Sequence, residues 1–164
     1  MEEITAYHEA GHALMATILG GKVLQLSVMQ QEADEDLAAR FGDAQIAWRR
    51  GKDDAKTFSG KLILVALAGP VAEMIYQGEL LHPGFVGEWS QDWRMAFEAA
   101  ETHHRDERKR LAFLEQATRD VYQRLREDRY WNAIAALADE LAAHEMLEEE
   151  QVNEVLGFWL RREG

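Results

Sequence analysis

Ala6-Tyr7-His8-Glu9-Ala10-Gly11-His12-Ala13-Leu14 is the stretch on which the reading of this chain turns. It contains an HExxH run. Its flanks, including Tyr7, Ala13, Leu14, Ala16, Thr17, Ile18 and Leu19, are apolar or small, the pattern of a buried helix rather than a solvated one. On an α-helix, residues four apart lie one above the other on the same face, so His8 and His12 can turn their imidazoles toward one point. Two neutral imidazoles suit a zinc ion, which takes nitrogen at about 2.0–2.1 Å and prefers four ligands. Glu9 points beside that pair, where it can act as general base toward a metal-activated water. The competing reading is a satisfied polar cluster in a core. A buried histidine pair with a buried glutamate is costly unless something balances the charges, and a dication would do so.

Outward from this helix, which spans about Glu3 to Leu19, Gly20-Gly21 supplies a terminator. Lys22–Met29 is rich in Val and Leu and reads as a strand. Gln30–Asp43 is an acidic connection with room for a short helix at Leu37–Arg40. Ala44–Arg49 alternates in polarity and is expected to pair with the first strand as a two-stranded ribbon. Gly51-Lys52-Asp53-Asp54 is a turn. A long helix follows from about Phe58 to Gly78, apolar on all sides over Leu62–Gly69 and therefore the central core element. Pro70 predicts a kink near Ala66–Pro70, and Gly69 would let another helix approach closely. Glu73, among Ala72, Met74 and Ile75, either reaches water or has a partner.

Leu80–Glu88 has loop character, with His82-Pro83-Gly84 and Gly87 as breakers. Ser90 reads as the N-cap of a helix from Gln91 to about His104, with Asp92 in its first turn. By itself that position favours an acid complementing the helix dipole over a metal ligand. Three further helices fill the last 60 residues. They are marked by the apolar sets Leu111, Leu114, Val121, Leu125; then Tyr130, Ile134, Leu137, Leu141; then Val152, Val155, Leu156, Trp159, Leu160. The charge clusters Arg105–Arg110 and Glu148–Glu150 read as solvated helix ends. His82, His103, His104 and His144 have no partner at ligand spacing and read as surface residues. The expectation is one mainly α domain with a small two-stranded β-ribbon after the HExxH helix.

With 164 residues, 47% of them hydrophobic, the chain can bury a real core. Its net charge of −12, without a Lys/Arg stripe, argues against nucleic acid and anionic membranes as partners. There is no cysteine, which removes disulfides and thiolate zinc sites. The acidic Met1-Glu2-Glu3 does not resemble a signal peptide. The longest apolar run, Leu62–Ala72, is too short to span a bilayer. A soluble cytoplasmic protein is expected.

Several segments together resemble a known family. Ala6–Leu14 looks like the opening of the peptidase domain of the membrane-bound, ATP-dependent zinc proteases of the FtsH type. Leu67-Ala68-Gly69-Pro70-Val71-Ala72-Glu73-Met74-Ile75-Tyr76-Gln77-Gly78-Glu79 is similar to that family's Gly-Gly-Arg-Ala-Ala-Glu-Glu segment and the glycine after it. Ser90-Gln91-Asp92-Trp93 falls where the family has Ser-Asn-Asp-Leu, and the stretch from Asp120 through Asn132–Leu141 resembles its C-terminal helices. The resemblance implies His8 and His12 as zinc ligands, Glu9 as general base and Asp92 as third protein ligand. It implies Glu73 as a carboxylate that orients a ligating imidazole.

The departures are equally specific. Pro70 stands where the family has a basic residue, and Phe85-Val86-Gly87-Glu88-Trp89 replaces its glycine- and threonine-containing approach to the aspartate. No Gly-x-x-x-x-Gly-Lys-Ser/Thr loop is present, since neither Gly51-Lys52 nor Gly60-Lys61 is followed by Ser or Thr. The expectation is a stand-alone zinc metallopeptidase that cleaves peptides or unfolded proteins without ATP. It would act as a possible homo-oligomer or with a separate ATPase partner. The first strand offers a possible edge for an extended substrate. The rivals are a non-catalytic zinc-binding domain that binds peptide or serves as an adaptor, and zinc hydrolysis of a non-peptide amide.

Overall fold

The computed structural model describes residues 2–29, 40–41, 44–51 and 53–161. Helix α1 (Glu2–Ile18) leads into strand β1 (Lys22–Ser27), followed by β2 (Arg40–Phe41), β3 (Ala44–Ala47) and the long helix α2 (Ala55–Gln77). Helices α3 (Ser90–Ala99), α4 (Glu107–Leu125) and α5 (Asp128–His144) come next, then strand β4 (Met146–Glu148) and helix α6 (Glu149–Leu160). The protein is mainly α with a small antiparallel sheet.

Local chemistry sets the helix ends. At the end of α1, Gly20 takes φ +96, and Gly21 N–H donates to Ala16 O at 2.8 Å, closing the last turn as a six-to-one bond. Helix α2 starts at Asp54, whose carboxylate accepts from Thr57 N–H, and stops at Gly78, left-handed at φ 73. It begins three residues earlier than its apolar run suggests, because the capping acid rather than the first apolar residue fixes the start. The helix continues through Pro70 without a break.

Helices α1 and α2 cross closely because small residues face each other. Ala6, Ala10, Ala13 and Ala16 of α1 and Ala66, Ala68 and Ala72 of α2 are fully buried. At Gly11 a Cβ would lie 2.5 Å from Ala68 O and 2.7 Å from Ala72 Cβ, so only glycine admits this approach. The whole of Val65–Ala72 is buried, with α1, α3 and α4 packed around α2. By length and composition α2 could cross a membrane: it has 23 residues and a mean hydropathy of 1.6 over its most apolar window. That departs from the expectation drawn from the shorter run Leu62–Ala72. The surrounding helices here bury its middle.

The sheet differs from the expected ribbon. Strand β1 pairs antiparallel with β3 as expected, but it pairs on its other side with β4, in the order β2-β3-β1-β4. Two strands are therefore corrected to four, and β1 is an interior strand rather than an edge for an extended peptide. The fourth strand forms because Glu145 takes a left-handed φ of 66, the one non-glycine residue to do so among those described. Its carbonyl thereby accepts from Val28 N–H at 3.0 Å. Glu148, read from sequence as part of a solvated acidic cluster, closes β4 and caps α6 through a reciprocal bond with Gln151. The acidic connection expected at Gln30–Asp43, with its short helix at Leu37–Arg40, lies outside the described residues except for Arg40 and Phe41, which form β2.

Two further expectations are corrected among the C-terminal helices. Leu111 is exposed, and the buried stripe of α4 runs instead through Arg110, Leu114, Ala117, Val121 and Leu125. Arg110 is not solvated. Its guanidinium donates to the carbonyls of His104 and Arg105 and sits 4.6 Å from the centroid of the Phe97 ring.

Candidate metal centre

The HExxH face of α1 meets α2 and the start of α3 at one point. His8 and His12, one turn apart, bring their Nε2 atoms to 3.1 Å from each other. Asp92, in the first turn of α3, places Oδ2 at 2.9 Å from His8 Nε2 and 3.4 Å from His12 Nε2. The structure thus brings together all three residues expected as ligands, Asp92 included, although its sequence position by itself favoured a dipole acid. The helix around it begins differently from expectation. Ser90 is the first helical residue, and the cap position belongs to Trp89, which makes no side-chain capping bond. The α-helical part ends at Ala99, short of His104, and a 3-10 turn covers Ala100–Thr102.

The far nitrogens of both rings are held by acceptors. His8 Nδ1 lies 2.6 Å from Glu73 Oε2, and His12 Nδ1 lies 2.7 Å from Val65 O. A carbonyl can only accept, so His12 donates from Nδ1, which leaves Nε2 as the nitrogen directed at the cluster. The Glu73 carboxylate does the same for His8. His8 Nε2, His12 Nε2 and Asp92 Oδ2 therefore face one another, two imidazoles and a carboxylate close enough to share one cation. Without a metal, the carboxylates on either side of the His8 ring favour a proton on it. Burial opposes charge there, but the Asp92 and Glu73 carboxylates against the ring outweigh it and raise the His8 pKa to about 10. Burial also works to raise the Asp92 pKa. The facing His12 and His8 rings overcome it and hold Asp92 well below the usual carboxylate range.

The spacing suits a larger cation than a proton. Ligands at about 2.0–2.1 Å in a tetrahedron stand roughly 3.3–3.4 Å apart, close to the 2.9, 3.1 and 3.4 Å separations seen here. Glu9 is almost fully buried, and one of its carboxylate oxygens and a nitrogen of each ring lie within 4.8 Å of one another. That is within reach through a water molecule. Gly69 of α2 makes room for both rings. A Cβ there would lie 2.8 Å from His8 Nε2 and closer still to His12 Nε2.

The cluster opens into a cleft of about 710 Å³, whose walls include Ile4, Val28, Leu81, Val86 and Trp89 beside His8, Glu9 and Glu73. A second groove of about 580 Å³, lined by Phe158 and Trp159, runs along α5 and α6. It contains no histidine, so the chemistry places the candidate site in the first. The remaining histidines stay outside both, but they are less exposed than expected. His82 is half-buried, its Nε2 at 2.9 Å from Glu115 and its ring stacked on Phe85. His103 and His104 are half-buried against Phe113. Only His144 is a surface residue in the expected sense, beside Glu140. Sequence reading missed Gly11, whose tight contact is tertiary, and the inward role of Trp89, which no local pattern marks.

No protein-family model matches the chain, and no curated protein matches it either.

Proposed function

We propose that this chain is a zinc metallopeptidase that hydrolyses peptide bonds in peptides or unfolded proteins without nucleotide. The observation that carries this reading is the convergence of His8 Nε2, His12 Nε2 and Asp92 Oδ2 beside a cleft that His8 and Glu9 line. Two imidazoles and one carboxylate, with His8 lining the cleft, are a donor set that fits catalytic zinc. Bound there, zinc supplies Lewis acidity toward a substrate carbonyl and makes water acidic enough to react near neutral pH.

The chain's own residues supply the rest. Glu73 and the Val65 carbonyl hold the two rings in one tautomer and one plane. Glu9 takes the proton of the attacking water and returns it to the leaving amine. The apolar walls at Val28, Leu81 and Val86 seat substrate side chains and keep bulk water away from the reacting bond. Because β1 is paired on both sides, substrate lies along the cleft rather than extending that strand. The resemblance of residues 6–14, 67–79 and 90–93 to the FtsH-type peptidase domain supports the same assignment.

The test is metal analysis of the purified protein together with a casein or peptide-library digest. One zinc per chain, with cleavage lost on chelation and restored by zinc, is expected. Cleavage that survives complete zinc removal would overturn the reading. Stoichiometric zinc without any cleavage would move the chain to the adaptor class.

A further inference from the structure

Glu73 Oε2 is shared. The oxygen that accepts from His8 Nδ1 at 2.6 Å also accepts from the indole Nε1–H of Trp89 at 2.6 Å. Trp89 is 3% exposed, and it occupies the cap position of α3, three residues before Asp92. Tryptophan is a poor residue for a cap, where a short side-chain oxygen normally binds the first free N–H groups. Here the side chain makes no capping bond and turns inward onto Glu73. The 3-10 turn Gly87–Trp89 runs directly into α3, so this bond joins the entry of that helix to the half-buried carboxylate behind His8.

We propose that Trp89 is a positioning residue for the metal centre, tying the carboxylate that orients His8 to the turn that presents Asp92. This rests on the metallopeptidase reading above. A glutamate has three side-chain torsions, and a single bond to an imidazole leaves its carboxylate free to swing with the ring. The second donor, on a rigid and enclosed indole, fixes the oxygen in place. The His8 ring plane is then set by α2 and by the loop before α3 together. The same bond anchors the first turn of α3, so His8 and Asp92 cannot shift independently. Outer partners of ligating histidines are part of a metal site's affinity.

The test compares zinc dissociation constants, by chelator competition, for wild type, Trp89→Phe, Glu73→Gln and the double variant. Phenylalanine keeps an aromatic ring in the enclosure and removes the N–H together with part of the ring volume. Trp89→Phe should bind zinc about tenfold more weakly, at the lower end of outer-partner effects. The double variant should be no weaker than Glu73→Gln alone, because both changes break the same junction. In the zinc-free protein, one of the five indole N–H signals should lie downfield and move upfield in Glu73→Gln. Wild-type affinity in Trp89→Phe, or fully additive losses in the double variant, would overturn the proposal. So would an indole spectrum indifferent to Glu73→Gln, which decides the matter even if Trp89→Phe does not fold. Wild type that holds no zinc would instead overturn the metallopeptidase reading on which the proposal stands, with the indole signal still reporting whether the bond exists.

Discussion

His8 stands between two carboxylates that do different work. Asp92 faces both imidazoles through Oδ2, whereas Glu73 reaches only the far nitrogen of His8. On the proposed assignment, removing Asp92 takes away a ligand, whereas removing Glu73 leaves all three and frees one ring. Glu73→Gln should therefore weaken zinc binding about 10–100-fold, and Asp92→Ala should weaken it further. A competition titration, with circular dichroism to check folding, measures both; the reverse order would make Glu73 the ligand. The same geometry predicts a pH dependence. The His8 pKa of about 10 means that a proton occupies the cluster at neutral pH, and the metal must displace it. Zinc affinity should fall by about tenfold for each unit of decreasing pH below that value. Titration calorimetry near pH 7 in buffers of different ionisation enthalpy should show about one proton released per zinc from His8. Release of none would mean that His8 is neutral before the metal arrives.

The crossing of α1 and α2 is where the helices build the site, and two glycines permit it in different ways. A Cβ on Gly11 meets backbone, Ala68 O at 2.5 Å, whereas a Cβ on Gly69 meets the two imidazoles. Gly11→Ala should therefore cost stability, about 1–3 kcal/mol as overpacking does, while Gly69→Ala should first displace the rings. Denaturant unfolding and zinc titration separate the two. Gly69→Ala with wild-type zinc affinity would contradict the placement of His8 and His12. Much of this was legible in the sequence because it is periodic: the HExxH spacing, the all-apolar middle of α2 and Gly69 as a point of close approach are local signals. Glu73 in an apolar helix announced that it needed a partner. Asp92 did not announce its role, because nothing local says which way the first turn of α3 faces. Strand β4 was invisible for a related reason. Three residues between two helices carry too little alternation to register, and the left-handed Glu145 that admits them is not a residue type that signals it. Leu111 matched the period of α4 and still faces outward, since the packing partner chooses the buried face.

Across the whole molecule the proposed zinc ties α1 to α3 through its ligands, and to α2 through Glu73. Metal that binds only the folded state should stabilise it by about 4 kcal/mol at free zinc near 1,000 times the dissociation constant. For a chain of this size that is a rise in Tm of roughly 8–16 °C. A scan with buffered zinc checks it, and an unchanged Tm would mean that zinc does not bind the folded protein in preference to the unfolded chain. Stability, however, does not distinguish a peptidase from a domain that only binds zinc. That distinction falls on Glu9, buried beside the histidines at the edge of the cleft. The deciding measurement is the peptide-cleavage rate of zinc-loaded wild type against zinc-loaded Glu9→Gln, with the metal content of both samples determined. Wild type should cleave, and Glu9→Gln should hold equal zinc while cleaving at least about 10²-fold more slowly, as loss of a general base requires. Equal cleavage by the two zinc-loaded proteins would contradict the mechanism.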